Sequence, residues 1–258
     1  MLDEIVERTK ERIDMEKSII PLEDLKREIS YLKIDDEFPF KKALQGDDIS
    51  IIAEVKKASP SKGLICEDFD YLQIAKDYEK AGASAISVLT EPYFFKGDDD
   101  YLKEIARNVS LPVLRKDFVV DEYMIYQAKY LGASAVLLIV AILDIVDLKK
   151  YLDLAHSLGL SAIVEVHDST EIMKALSVGA EIIGVNNRDL TDFSVDIENS
   201  ISLRSCVGED IVFISESGIK TKEDVNRLKE NNVDAVLIGE TLMKSDDKQA
   251  MISELKNG

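Results

Sequence analysis

The chain has 258 residues and 46% hydrophobic content, enough to bury one large core or two small ones, and a single α/β barrel commonly has this size. Its 32 basic residues against 50 acidic ones give a net charge of −18, which argues against a nucleic-acid partner and against docking on an anionic membrane. An anionic ligand would need positive charge gathered locally.

Residues 1–48 are rich in charged, helix-favouring side chains, as in DEIVERTKERIDMEKS and LEDLKREISYL. They predict helices outside the main fold, with Pro21 separating two of them. The extension has two readings, a solvated amphipathic arm and a lid over a binding site. The start MLDEIVERTK has no apolar signal-peptide core, and Cys66 and Cys206 have neither metal-ligand nor redox spacing. A reduced, cytoplasmic protein is the expectation. The longest apolar stretch, Ala133 to Leu143, falls far short of the ~20 residues a membrane helix needs.

After the extension, eight short runs rich in Ile, Val, Leu and Ala recur: Ile51–Val55, Ala85–Leu89, Pro112–Leu114, Ala135–Val140, Ala162–Val166, Ile182–Val185, Ile211–Ile214 and Ala235–Ile238. Runs this uniformly apolar suit strands covered on both faces, as in a parallel sheet. Their spacing of roughly 20 to 35 residues leaves room for a strand, a crossover helix and two loops. Several are entered through similar phrases, AGASAISV, LGASAVLL, VGAEIIGV and NVDAVLIG, and the Gly of the first three reads as a helix end. The repetition predicts one α/β domain over residues 1–258, a closed (β/α)8 TIM barrel with residues 1–48 as an N-terminal helical extension over its mouth. An open doubly wound sheet fits less well, because no G-x-G-x-x-G turn follows the first strand.

Such barrels carry their chemistry at the carboxyl ends of the strands. Those ends hold Glu54 and Lys56, Arg115 and Lys116, Glu165, then Asn186, Asn187 and Arg188, then Glu216, Ser217 and Gly218, and finally Gly239, Glu240 and Thr241. Glu54 and Lys56 are two residues apart and so share a strand face. One charged strand end could be a salt bridge, but six together point to a reaction site. Gly218 and Gly239 follow the last two strands, where backbone N–H groups of these barrels often hold phosphate, and Ser59 and Ser217 could add hydroxyl donors. A small phosphorylated molecule is therefore the expected ligand. His167 stands two residues past Glu165 without any nucleophile paired to it by motif, and a hydrogen-bonded structural role is expected.

The blocks AEVKKASPSKG, LTEPYFFKG, RKDF, VEVHD, GVNNRDL, SESGI and IGETLM occur in order, and through them the chain closely resembles the indole-3-glycerol-phosphate synthases of tryptophan biosynthesis. The helical start is similar to that family's amino-terminal extension. The resemblance implies closure of 1-(2-carboxyphenylamino)-1-deoxyribulose 5-phosphate to indole-3-glycerol phosphate, with loss of carbon dioxide and water. It implies Lys116 as the acid that protonates the attacked carbonyl oxygen, Lys56 as holder of the anthranilate carboxylate and second acid, and Glu165 as base. Glu54 and Asn186 would orient the reacting groups, and Ser217 is counted with both the catalytic and the phosphate set. Ser59, Gly218, Gly239 and the Glu240 backbone correspond to the rest of the phosphate site; Phe95, Phe118, Arg188 and Glu216 correspond to groups around the ring and sugar.

Glu240 departs from family members with Ser there, so its carboxylate should turn away from a phosphate. Pro92 and Asp98 also look unusual, which leaves the contacts of their loop open. No metal and no cofactor is expected, since lysine and glutamate can move the protons unaided. Two alternatives stand beside this reading. Phosphoribosylanthranilate isomerase would need a catalytic Cys and Asp pair at strand ends, and a non-catalytic barrel that binds a phosphorylated metabolite would have little use for Lys116 and Glu165. The sequence leaves open whether the chain is a monomer and whether it contacts other tryptophan-pathway enzymes.

Overall fold

The computed structural model describes residues 1–34, 36–189 and 194–256. Each apolar run forms a strand: β1 (Ser50–Val55), β2 (Ala85–Leu89), β3 (Val113–Lys116), β4 (Ala135–Ile139), β5 (Ser161–Val166), β6 (Ile182–Asn186), β7 (Val212–Glu216) and β8 (Ala235–Ile238). Each pairs in parallel with the next, and β8 returns to β1, closing an eight-stranded barrel. The expected (β/α)8 architecture is what the chain adopts.

The alternation of side chains along each strand divides the core in two. Ile52, Leu114, Ile163, Ile214 and Leu237 point inward and pack together inside the barrel. Ile51, Ala53, Ile86, Val88, Val136 and Val164 point outward into the layer of helices. Two residues beyond Ile52, Leu114, Ile163, Ile214 and Leu237 stand Glu54, Lys116, Glu165, Glu216 and Gly239. The parity that fills the barrel with aliphatic side chains thus delivers these five positions to its open carboxyl end.

Between the strands run α4 (Tyr71–Lys80), α5 (Asp99–Asn108), α6 (Glu122–Leu131), α7 (Ile145–Ser157), α8 (Ser169–Ser177), α9 (Glu198–Arg204) and α10 (Lys222–Glu230), with α11 (Glu240–Lys244) and α12 (Lys248–Lys256) after β8. Asp70, Asp98, Asp121, Asp144, Asp168 and Thr221 each accept a backbone N–H from the first turn of the helix they precede. Such a cap is worth about 1 kcal/mol. Asp98, unusual in sequence, is therefore a helix cap. Gly132 ends α6 in the left-handed region at φ 95°, as its phrase predicted.

The extension forms α1 (Leu2–Ile19), α2 (Leu22–Ile29) and α3 (Pro39–Ala43), with Pro21 between the first two. It does not lie over the mouth as a whole. Met1, Leu2 and Ile5 of the first segment line the cavity at the carboxyl end of the barrel, and α2 packs against α6. At the opposite end, the Lys41 backbone N–H of α3 donates to the Ser161 hydroxyl at the start of β5, and its Nζ pairs with Glu181 at 2.8 Å. Phe40 and the adjacent Leu44, both fully buried, join the inner core and close the barrel floor.

Candidate active site

A cavity of about 830 Å³ opens at the carboxyl end of the barrel. Glu54, Lys56, Ser59, Phe95, Lys116, Phe118, Glu165, Asn186, Arg188, Glu216, Ser217, Gly218, Gly239 and Glu240 all line it. Leu190, the last residue of the fifth sequence block, lies outside the described residues. Arg115 and Asn187, also named as strand-end residues, turn away because they have the opposite parity. The Arg115 guanidinium bonds Thr90, Asp99 and the Met124 carbonyl. Asn187 donates to the Ser215 hydroxyl and the Ser217 carbonyl and accepts from Ser200.

Two lysines organise the floor. Lys56 Nζ donates to Glu54 Oε1 at 2.6 Å, and the far oxygen of Glu54 accepts from the Ser87 hydroxyl at 3.5 Å. A Cβ at residue 239 would collide with the Glu54 carboxylate and the Lys56 amine, so Gly239 leaves room for this pair. Lys116 Nζ lies 3.1 Å from Glu165 and 3.3 Å from Glu216. Asn186 donates to the other oxygen of Glu165 at 3.3 Å.

One ammonium between two carboxyls separates their proton affinities. Burial disfavours charge on Lys116, but Glu165, Glu216 and Glu54 outweigh it and hold the ammonium above its usual range. Burial likewise works against the Glu165 carboxylate, yet Lys116, His167 and the Asn186 hydrogen bond hold its pKa below the usual range. For Glu216 burial prevails over Lys116, Glu165 and Glu54 add repulsion, and the carboxyl is pushed up to about 7. The site thus sets a carboxylate of lowered pKa and a carboxyl that keeps its proton up to about pH 7 on either side of one ammonium. Any side chain at residue 184 would strike the Glu216 carboxyl, which makes Gly184 part of this arrangement.

Behind Lys116 lies a network that the sequence did not reveal. Asp117 accepts both hydrogen bonds from the Arg12 Nη2 of α1, at 3.0 and 2.9 Å, and one from the Thr90 hydroxyl at 2.6 Å. Arg12 and Asp117 are both buried. The only hint was an acid inside RKDF with no obvious partner. In the loop after β2, the Glu91 carboxylate accepts the backbone N–H groups of Tyr93, Phe94 and Phe95 at 2.7 to 3.0 Å. This pins Phe95, whose ring lies 6.0 Å from that of Phe118.

At the upper rim, Ser217 and Gly218 take consecutive left-handed conformations, φ 69° and 87°. For Ser217 that conformation costs about 1 kcal/mol, the kind of strain concentrated at functional sites. Glu240 pairs with Lys244 at 2.7 Å and Lys62 at 3.7 Å. Lys62, Lys220 and Lys244 line the same rim and supply the local positive charge that the −18 chain lacks globally. His167 has more than the purely structural surroundings expected of it. Its Nδ1 meets Glu171 at 3.2 Å, and its Nε2 stands 3.7 Å from Glu165.

The sequence model of the family described as indole-3-glycerol phosphate synthase matches residues 2–255. This chain belongs to that family. The indole-3-glycerol phosphate synthase of Ruminiclostridium cellulolyticum is 52% identical over 99% of this chain and 98% of its own length. That of Endomicrobium trichonymphae is 53% identical over the whole of both chains. Among solved structures, a mutant tryptophan synthase alpha-subunit from Pyrococcus furiosus superimposes with TM-score 0.62 at 14% identity, over 82% of this chain and 99% of that one, which shows a shared fold. Membership of the indole-3-glycerol phosphate synthase family makes the chain an enzyme, a carboxy-lyase of tryptophan biosynthesis. Among the described residues, no group of three or more His, Cys, Asp and Glu is arranged to hold a metal ion, and no helix is long and apolar enough to cross a membrane.

Proposed function

We propose that this enzyme closes 1-(2-carboxyphenylamino)-1-deoxyribulose 5-phosphate to indole-3-glycerol phosphate by lysine and glutamate acid-base catalysis. The observation that carries the reading is the Lys116 ammonium, held 3.1 and 3.3 Å from two carboxyls on the floor of a cavity with a cationic rim. As the ring carbon attacks the ketone, negative charge grows on the carbonyl oxygen, and Lys116 donates a proton there. Lys56 holds the departing carboxylate and, once carbon dioxide has left, protonates the leaving hydroxyl. Glu165, kept ionised, removes the ring proton. Asn186 fixes its orientation, and Glu54 does the same for Lys56.

The phosphate sits at the rim, held by the Ser59 and Ser217 hydroxyls and by backbone N–H groups at Gly218, Gly239 and Glu240, where the start of α11 leaves donors without intrahelical partners. Phe95 and Phe118 flank the aromatic ring, while Arg188 and Glu216 contact the substrate beside it. Each step moves protons or releases carbon dioxide and water, so no redox cofactor enters. The first residues of the extension cover the mouth. The free thiols of Cys66 and Cys206 fit a reducing cytoplasm. Neither cysteine lines the cavity, against an isomerase of the Cys and Asp type. A metabolite sensor would gain nothing from splitting the affinities of Glu165 and Glu216 around a lysine.

The test is indole fluorescence on adding the carboxyphenylamino substrate to the purified protein and to Lys116→Ala. Turnover by the parent with a loss of ~10²-fold or more in the variant supports the assignment. A folded parent without turnover, or a variant that keeps it, overturns the assignment.

A further inference from the structure

His167 Nε2 is a buried nitrogen 3.7 Å from the base Glu165, and it has no hydrogen-bond partner among the described residues. The other ring nitrogen, Nδ1, lies 3.2 Å from Glu171 Oε2, which also accepts the backbone N–H of His167 at 2.8 Å. An ionised carboxylate only accepts, so Glu171 selects the tautomer with its proton on Nδ1. The lone pair on Nε2 is then turned toward Glu165. In the neutral ring these two acceptors cannot bond, in keeping with the 3.7 Å gap. Once Glu165 carries a proton it becomes a donor, and Nε2 is the acceptor beside it.

His167 also stands between two spaces. It lines a second cavity of about 420 Å³ together with Glu171 and Asn199, whereas Glu165 lines only the main one. With substrate filling the main cavity, the proton on Glu165 has two exits, back to Lys116 at 3.1 Å or outward through His167, and only the second reaches the other cavity.

We propose that His167 acts through Glu165 as a proton relay, carrying the proton that Glu165 removes from the substrate to water in the second cavity. The proposal rests on the assignment of Glu165 as base. In the first step the O–H bond of Glu165 breaks as the Nε2–H bond forms, leaving a carboxylate and an imidazolium. The Nδ1 proton then passes to Glu171 and from there to water, and exchange with that water resets the tautomer. One proton leaves by this route per turnover, Lys116 and Lys56 regain theirs from water as product departs, and no electrons change hands. The charged groups around the ring are Glu165 on β5, Glu171 on α8 and Glu216 on β7, with Arg188, Asp189 and Asp196 lining the second cavity. Burial opposes the imidazolium, but the Glu171 hydrogen bond and the charges of Glu165, Glu171 and Glu216 outweigh it and raise the His167 pKa.

His167→Asn separates relay from scaffold, because its amide N–H takes the place of Nδ1 toward Glu171 while nothing replaces Nε2. The expected variant keeps the parent's melting temperature and KM, loses about tenfold or more in kcat in dilute buffer, and regains turnover with added imidazole. Parent-like kcat, or a loss that imidazole does not restore, overturns the relay. Nitrogen NMR of the parent gives a second reading if the variant fails to fold: a proton on Nδ1 of the neutral ring supports the relay, and one on Nε2 overturns it. A parent that forms no indole product removes the base assignment beneath the proposal; a turning-over parent with an unaffected variant removes the relay alone.

Discussion

Replacing Arg12 by Met tests how firmly the extension is tied to the reaction floor. The substitution keeps the aliphatic stem and deletes the guanidinium that holds Asp117, a residue that is 2% exposed and adjacent to Lys116. Removing one partner of a buried pair costs ~3–5 kcal/mol, because the other charge is left uncompensated. Asp117 keeps the Thr90 hydroxyl at 2.6 Å, the Phe118 N–H at 2.8 Å and a longer approach to Arg115 at 3.6 Å. These place the expected loss at the lower end, about 3 kcal/mol, or ~6–12 °C in melting temperature for a domain of this size.

Thermal melts of the parent, Arg12→Met, Asp117→Asn and the double variant make the assay. Burial raises the Asp117 pKa, but Arg12 and Arg115 overcome it and hold the carboxyl below its reference value of 3.8. A carboxyl depressed in the fold contributes stability above that unfolded value and loses it as pH falls below. The gap between parent and Arg12→Met should therefore narrow in acid. At neutral pH the double variant should recover part of the loss, with a coupling of about 2 kcal/mol. Single-variant losses that add to within ~0.5 kcal/mol would refute the claim that Arg12 and Asp117 act as a pair.

Glu216→Gln should flatten the pH dependence of stability. In the parent, the unfolded carboxyl ionises near 4.5 while the folded one holds its proton to about 7, so stability is full below 4.5 and is lost as pH rises through 7. Melting temperatures from pH 4 to 9 check this, and an equal slope in the variant would assign the dependence elsewhere. Phe40→Ala should cost ~3–5 kcal/mol by opening a void in the barrel floor. Because α3 lies at the end opposite the cavity, KM should hold, and a raised KM in steady-state assays would contradict that placement.

The barrel was legible because each strand is covered on both faces and reads as an unbroken apolar run. Its strand ends were less so. The runs Pro112–Leu114 and Ile211–Ile214 stop short of the observed Val113–Lys116 and Val212–Glu216, since apolar patterning fades where charged residues begin. Lys116 and Glu216 still take ladder positions, opposite Leu89 and Leu237. The inward set followed from parity, which needs only local spacing. Arg12 and Asp117 are 105 residues apart, and no local rule joins them. The turning away of Arg115 was available from the same parity, because Lys116 and Arg115 cannot share a face. The surroundings of His167 were hidden for a different reason: they depend on Glu171, four residues on, and on a cavity that only the fold creates.

The raised pKa of Glu216 sets the charge of the floor. Lys56 and Lys116 face Glu54, Glu165 and Glu216, two ammoniums against three carboxyls. With Glu216 neutral the floor has no net charge, and a substrate carboxylate can approach Lys56 without opposition. Above about 7 the floor gains one negative charge beside Lys116, and the net charge facing an incoming carboxylate turns negative. The −18 surface already repels an anion at long range, so attraction has to come from Lys62, Lys220 and Lys244 at the rim. On the proposed placement, the rim draws the phosphate, and a floor with Glu216 protonated accepts the other end without opposing it.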